Sequence, residues 1–309
     1  MTSTPHTDEP QRSHRFRVFG QDVPARQLSA GLYLVATPIG NLGDVTLRAL
    51  ETLAAVETIA CEDSRVTRRL LDRYGISTPL LPYHDHNAEA VRPKILTRLD
   101  AGGTVALVSD AGTPLISDPG YKLVQAAQAA GHAVTAVPGA SAMLAALTAS
   151  GLPTDRFFFE GFLPPREAAR RDRIDELARL PATLVFFETG PRIGAMLNNL
   201  AERLGRRQAA VCRELTKLHE EIRRGDVAAL ADAWRNGAET RGEFVVVVGP
   251  PGKGEQAEVI DLDGLLAQAL ATASLKDAVE AVAAATGQKR RVVYQRALAL
   301  PKRGSDGSR

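Results

Sequence analysis

From Gly31 to Gly151, runs of consecutive apolar residues alternate with stretches of helical periodicity. "GLYLVAT", "VETIACE", "TVALVSD" and "HAVTAVPG" are almost wholly apolar, whereas "DVTLRALETLAAV", "SRVTRRLLDRYG" and "GYKLVQAAQAAG" return to apolar residues every three or four positions. Strands without polar alternation are buried on both faces, which predicts a parallel sheet covered by helices. "SGLPTDR" (Ser150–Arg156) breaks the pattern with Gly and Pro in a polar context. A second αβ region follows, with "RFFFEGF", "ATLVFFETG", "QAAVCREL" and "GEFVVVVGPPG" as strands and helices starting near Arg166 and Arg192. "PPGKGEQAE" reads as a linker, and "LKDAVEAVAAATG" and "KRRVVYQRALAL" as two helices. The expected organisation is therefore a disordered tail over 1–30, an α/β domain with a parallel sheet over 31–151 and a second α/β domain over 152–250. A linker over 251–262 and a helical unit over 263–303 complete it.

In an open parallel sheet, ligands bind outside the carboxyl ends of the strands. Five unusual segments fall there: "TPIGNLGD", "CEDSR", "YHDHN", "SDAGTPLISDPG" and "PGASA". The first is glycine-spaced but lacks the Walker lysine, so it is a weak nucleotide fingerprint, with Asp44 placed to cap the next helix. In the fourth, Asp118 and Pro119 suit the start of a helix. Asp110, at the end of an apolar strand, has no such structural reason. That loop offers small residues and no His, Cys or Lys. Such a loop suits a cofactor that carries its own reactive group. His84 and His86 lack a third ligand at useful spacing, so hydrogen bonding to a polar substrate is expected and no metal centre. "RELTKLHEE" gathers Glu214, Thr216, Lys217, Glu220 and Glu221 directly after a strand of the second region.

Composition narrows the class. Over 309 residues, 44% are hydrophobic and 24% charged, as in soluble globular proteins. The net charge is only +2, so a polyanion partner has to be sought in local clusters. Helical spacing puts Arg65, Arg68, Arg69 and Arg73 on one face, with Val66 and Leu70 on the other. Gly287–Arg303 carries six basic residues and no acidic one, and Arg166–Arg173 adds further arginines among acids. Several such clusters point to RNA. Cys61 and Cys212 lie in apolar runs without metal-site spacing and read as reduced thiols of a cytoplasmic protein. There is no secretory h-region and no apolar stretch of membrane-spanning length.

Taken in order, "GLYLVATPIGNLGDVTLRALETL", "CEDSRVTRRLL", "HDHN", "VSDAGTPLISDPG", "PGASA", "SGLPTDRFFFEGFLPP", "RELTK" and "GEFVVVVG" resemble the ribosomal RNA (cytidine-2′-O)-methyltransferases of the tetrapyrrole methylase superfamily. The resemblance spans about Gly31 to Gly249 and continues more loosely through the C-terminal helices. It implies a two-domain class III S-adenosylmethionine methyltransferase fold with a small helical C-terminal unit. It also implies S-adenosylmethionine folded in the cleft between the domains, and a homodimer acting on 16S rRNA within the small ribosomal subunit. Carried onto this chain, cofactor contacts are Pro38, Asp110, Leu115, Ile116, Ser117, Ser141 and Ala142, with Phe187, Cys212 and Val248 from the second domain. In-line methyl transfer needs no covalent nucleophile, only alignment.

Lys217 is the first candidate for a general base, and Glu62 and Asp63 are its rivals. Arg65, Arg68, Arg69, His84, His86, Lys289, Arg290 and Arg291 are the expected RNA contacts. One segment departs from the family pattern. Where that pattern reads Phe-Tyr-Glu-Ser-Pro-His-Arg, this chain has Phe186 to Arg192 as Phe-Phe-Glu-Thr-Gly-Pro-Arg, without the Tyr hydroxyl and the imidazole. Two alternatives stand beside this reading: a methylase of a tetrapyrrole or other small molecule, and an RNA-binding assembly factor with a vestigial cofactor site.

Overall fold

The computed structural model describes residues 14–117, 120–252, 262–286, 288 and 290–300. Arg15–Val18 (β1) and Gln21–Pro24 (β2) pair antiparallel around Phe19 and Gly20, whose φ values are 51° and 80°. Part of the expected tail is therefore ordered. Its "FRVFGQDV" alternates apolar and polar residues about a glycine turn, as a two-residue hairpin requires. Phe16 is buried against the core that holds Leu50 and Leu53, and the Arg17 N–H donates to Tyr74 O at 2.7 Å.

The first sheet contains Gly31–Val35 (β3), Thr58–Cys61 (β4), Leu80–Pro82 (β5), Thr104–Val108 (β6) and Val134–Val137 (β7). All its pairs are parallel, in the order β5-β4-β6-β3-β7. Leu47–Ala55 (α1) and Ser64–Arg73 (α2) cover one face through Leu50, Leu53, Leu70 and Leu71. Ala88–Asp100 (α3) and Tyr121–Ala129 (α4) cover the other through Ile95, Leu99 and Leu123. Burial on both sides explains the unbroken apolar runs. Two local expectations shift. Thr46, not Asp44, caps α1, because its hydroxyl reaches the Ala49 N–H at 3.1 Å while Asp44 ends a short 3₁₀ turn. On α2 the buried face is Thr67, Leu70 and Leu71, and Val66 is exposed. Asp118 and Pro119 lie outside the described residues.

The helix after the first sheet, Ala142–Ser150 (α5), ends on Gly151 in the left-handed region. It packs not on its own sheet but on the next one. That sheet holds Phe157–Phe162 (β8), Thr183–Thr189 (β9), Gln208–Arg213 (β10), Glu221–Asp226 (β11) and Glu243–Val248 (β12), in the order β11-β10-β12-β9-β8. Only β8–β9 is parallel. Glu167–Leu177 (α6), Gly190–Leu204 (α7) and Val227–Arg235 (α8) cover one face. On the other face Ala146 and Leu147 of α5 pack with Val185, Cys212 and Val247, joined by Ile39 and Leu215. The Arg224 guanidinium donates to the carbonyls of Ala149 and Ser150, placing a cation at the carboxyl end of α5. The chain up to Pro250 is accordingly one compact unit in which α5 and the loop residue Ile39 complete the core of the second sheet.

Among the described residues the C-terminal unit has three helices where two were expected: Leu262–Leu270 (α9), Leu275–Thr286 (α10) and Arg290–Ala299 (α11), around Leu266, Val279, Val282 and Val293. α9 begins on the last residue of the expected linker, at the first of the apolar positions of "LDGLLAQAL". No helix among the described residues is long and apolar enough to cross a membrane.

Phe16→Ala should remove the hairpin's buried anchor and lower stability by about 3 kcal/mol, measured by urea unfolding. An unchanged midpoint would mean that the hairpin does not contribute to the core.

Candidate active site

The strand-end loops are bonded to one another. Thr37 and Gly112 exchange backbone hydrogen bonds of 2.9 and 3.0 Å, and the Thr113 hydroxyl donates to Ala140 O at 3.2 Å. The Asp110 carboxylate accepts from the Asp63 N–H at 2.9 Å, and the Tyr83 N–H donates to Cys61 O at 2.8 Å. The Asn41 N–H donates to the Thr216 hydroxyl at 3.1 Å, so the first loop also touches the "RELTK" loop of the second sheet. Gly40 makes this approach possible: a Cβ there would lie 2.4 Å from Lys217 Cγ. Glu214 and Thr216 both hold positive φ, 48° and 66°. For the β-branched Thr216 this is a strained conformation, kept in place by its contacts.

Between these loops lies a cavity of about 230 Å³. Six of the expected cofactor contacts line it: Ile116, Ser117, Ser141, Ala142, Phe187 and Cys212. Four do not. Pro38 is buried and is not part of the wall, and Asp110 is turned to the Asp63 backbone. Leu115 packs into the core beneath α3 and α4, and Val248 faces the α6–α8 core, where it is fully buried. The cavity also takes Ile39, Thr113, Phe162, Thr189 and Leu215, which were not among the expected contacts. Ile39, Thr113 and Leu215 lie inside the quoted loop motifs and Phe162 inside the quoted "SGLPTDRFFFEGFLPP", but nothing in the sequence gives the direction in which Phe162 points. Apolar walls with hydroxyls from Thr113, Ser117 and Thr189 fit an amphipathic adenosyl sulfonium cofactor. Burial pushes the Cys212 thiol up to about 11, so it is neutral at working pH. The departing segment runs from the end of β9 into α7. Pro191 sits at the start of α7, and a Cβ on Gly190 would fall 1.8 Å from Thr240 O.

Of the three candidate bases, Lys217 alone lines the cavity. Its Nζ donates to Glu243 Oε2 at 2.6 Å and to Glu214 Oε1 at 2.9 Å. Burial pulls the ammonium down, but the bonds to Glu243 and Glu214 outweigh it, and the group is held above its ordinary value. This is opposite to the direction a lysine base needs. Asp63 caps α2 and binds the Arg65 guanidinium, and these Arg65 bonds bring its carboxyl down to about 2. Glu62 is pushed up by burial and then by the Asp110 and Asp85 charges, yet it is not part of the cavity wall.

Arg65, Arg68 and Arg69 are exposed on α2, with Arg65 committed to Asp63. His84 and His86 sit in the loop after β5, their rings edge to face at 6.0 Å. Among the described residues no three His, Cys, Asp or Glu side chains assemble as metal ligands. Arg290 and Arg291 are exposed on α11, the first paired with Glu280 at 3.3 Å, while Lys289 lies outside the described residues.

The model of the Tetrapyrrole (Corrin/Porphyrin) Methylases matches residues 31–231, and that of the RsmI C-terminal HTH domain matches residues 256–301. Ribosomal RNA small subunit methyltransferase I of Mesorhizobium japonicum is 50% identical over 93% of this chain and 97% of its own. The protein of that name from Pseudomonas aeruginosa is 45% identical over 88% and 98%. Among solved structures, diphthine synthase superposes with a TM-score of 0.55 at 16% identity, covering 71% of this chain and 89% of that one. The cobalt precorrin-4 methyltransferase CbiF gives 0.54 at 19%, covering 71% and 94%. The chain belongs to the tetrapyrrole methylase superfamily and, within it, to the family of ribosomal RNA small subunit methyltransferases I.

Proposed function

We propose that the protein transfers a methyl group from S-adenosylmethionine to the ribose 2′-hydroxyl of a cytidine in 16S rRNA. The observation that carries this reading is the cavity itself, where loops of both sheets meet around six expected cofactor contacts and one clamped lysine. The cofactor, when bound, supplies an electrophilic methyl on a sulfonium. Ile116, Ser117, Ser141 and Ala142 on one wall and Phe187 and Cys212 on the other would hold it. Lys217, kept as an ammonium by two carboxylates, donates to one lone pair of the acceptor oxygen and so orients the other toward the methyl. As the new O–C bond forms, the hydroxyl proton becomes strongly acidic and passes to a weak base such as the Glu214 carboxylate. The exposed arginines of α2 and, separately, of α11 in the helix-turn-helix unit would bind phosphate. Phe157 and Phe158, exposed on the edge strand β8, suit a second copy of the chain, and sedimentation should give twice the chain mass.

The test is incubation of the protein with labelled S-adenosylmethionine and either free 16S rRNA or small subunits. The result expected is label on a cytidine whose 3′ linkage resists alkali; label on a small molecule only, or none, overturns the reading. Lys217→Met should lower single-turnover methylation by about 100-fold or more, with S-adenosylhomocysteine affinity nearly intact. The pH profile follows from signs. The raised Lys217 contributes fully below the ordinary 10.5 and is lost as pH climbs through its folded value. The lowered Glu214, where bonds from Lys217 and the Glu243 N–H overcome burial, contributes above 4.5 and is lost as pH falls. The wild-type single-turnover rate should therefore stay flat from about pH 6 to about pH 10, whereas a lysine base would make it climb through neutrality as the amine loses its proton. Replacing Arg68 and Arg69 by Gln should reduce the slope of log affinity for RNA against log salt by about 1 for each phosphate that is no longer neutralised.

A further inference from the structure

Phe162 is brought to the cavity by a fault in β8. Pairing with β9 runs Phe157 to Thr183, Phe158 to Leu184 and Phe159 to Val185, then resumes with Gly161 to Phe186 and Phe162 to Phe187. In a regular strand, residues three apart point to opposite faces. The bulge at Glu160 absorbs one residue, so Phe162 follows Phe159 onto the face of Phe187. Glu160 itself is bound by the Arg173 guanidinium, with two bonds of 2.7 Å. Gly161 has φ 74°, and a Cβ there would meet Ser117 Oγ at 3.2 Å, so the bulge also seats the strand against the cofactor loop.

The three rings then differ in depth. Phe159 and Phe187 meet edge to face at 4.9 Å and are partly buried in the core of the second sheet. Phe162 contacts Phe187 at 5.8 Å but stays 49% exposed at the cavity rim, beside Ile116 at 40%. A bulge that re-aims an aromatic ring and leaves it half in water gains the core little. It supplies a flat apolar surface at the mouth, outside the Phe187 and Cys212 wall.

We propose that the exposed face of Phe162 is the platform on which the acceptor cytosine stacks once it leaves its RNA neighbours. The proposal rests on the RNA reading above. A ribose hydroxyl reaches an enclosed methyl donor only if its nucleotide is presented singly, and unstacked bases are held on aromatic side chains.

Three variants test this: Phe162→Leu keeps apolar bulk without the aromatic face, Phe162→Ala removes both, and Phe162→Trp restores a stacking surface. Each is assayed for KM with small ribosomal subunits lacking the methyl group and, by calorimetry, for S-adenosylhomocysteine affinity. Phe162→Leu and Phe162→Ala should raise KM by roughly tenfold or more, the scale of one base–aromatic stack. S-adenosylhomocysteine affinity should stay within about twofold, and Phe162→Trp should recover wild-type KM. A Phe162→Leu enzyme with wild-type KM overturns the proposal. So does a parallel fall in S-adenosylhomocysteine affinity, which would give the ring to the cofactor, or a loss of dimer mass that accounts for the defect. A wild-type enzyme that methylates no rRNA removes the substrate reading and this assignment together. That outcome is distinct from active wild type matched by Phe162→Leu.

Discussion

The packing of α5 on the second sheet is the constraint on which the site depends. Ala146 and Leu147 bring this helix into a core otherwise made by Val185, Cys212, Val245 and Val247. Apolar burial of this kind is non-directional, but close packing makes it specific in position. Ser141 caps the same helix, accepting from the Leu144 N–H at 3.4 Å, so the "PGASA" loop is fixed by the helix that joins the two sheets. Ile39 and Leu215 extend this core to the first loop and the "RELTK" loop. The cavity walls are therefore two ends of one packed cluster, set in register before any ligand arrives.

Polar contacts refine what that core positions. Asp110 spends its carboxylate on the Asp63 backbone, and Asp63 spends its own on α2 and Arg65. These aspartates build loops. The polar residues that line the cavity are hydroxyl-bearing Thr113, Ser117, Ser141 and Thr189, the clamped Lys217 and the glutamates Glu188, Glu214 and Glu243, a set that aligns and takes up a proton rather than attacks. Such a set matches methyl transfer, in which alignment supplies much of the barrier reduction.

The first sheet was legible because its strands are buried on both faces and run apolar without interruption, and the loops at its carboxyl edge followed from that topology. Ile116, Ser117, Ser141 and Ala142, which the resemblance singled out, line the cavity. Side-chain direction was not legible at Leu115, whose positive φ of 74° turns it into the core, or at Val248, which lies on the face opposite Cys212. Phe162 was out of reach because strand alternation puts it on the wrong face unless the bulge is known. The hairpin at Phe16 was missed for a different reason: its strands are four residues each and sit in a polar, proline-containing segment. Lys217 was placed correctly by its strand end, but its charge state depends on Glu243, twenty-six residues away.

The most direct test is a crystal structure of the protein with S-adenosylhomocysteine. The result expected is the ligand seated between Ile116–Ser117 and Ser141–Ala142 on one side and Phe187–Cys212 on the other, with α5 still packed on the second sheet. A ligand bound elsewhere, or a site formed only after α5 leaves that sheet, would contradict the account.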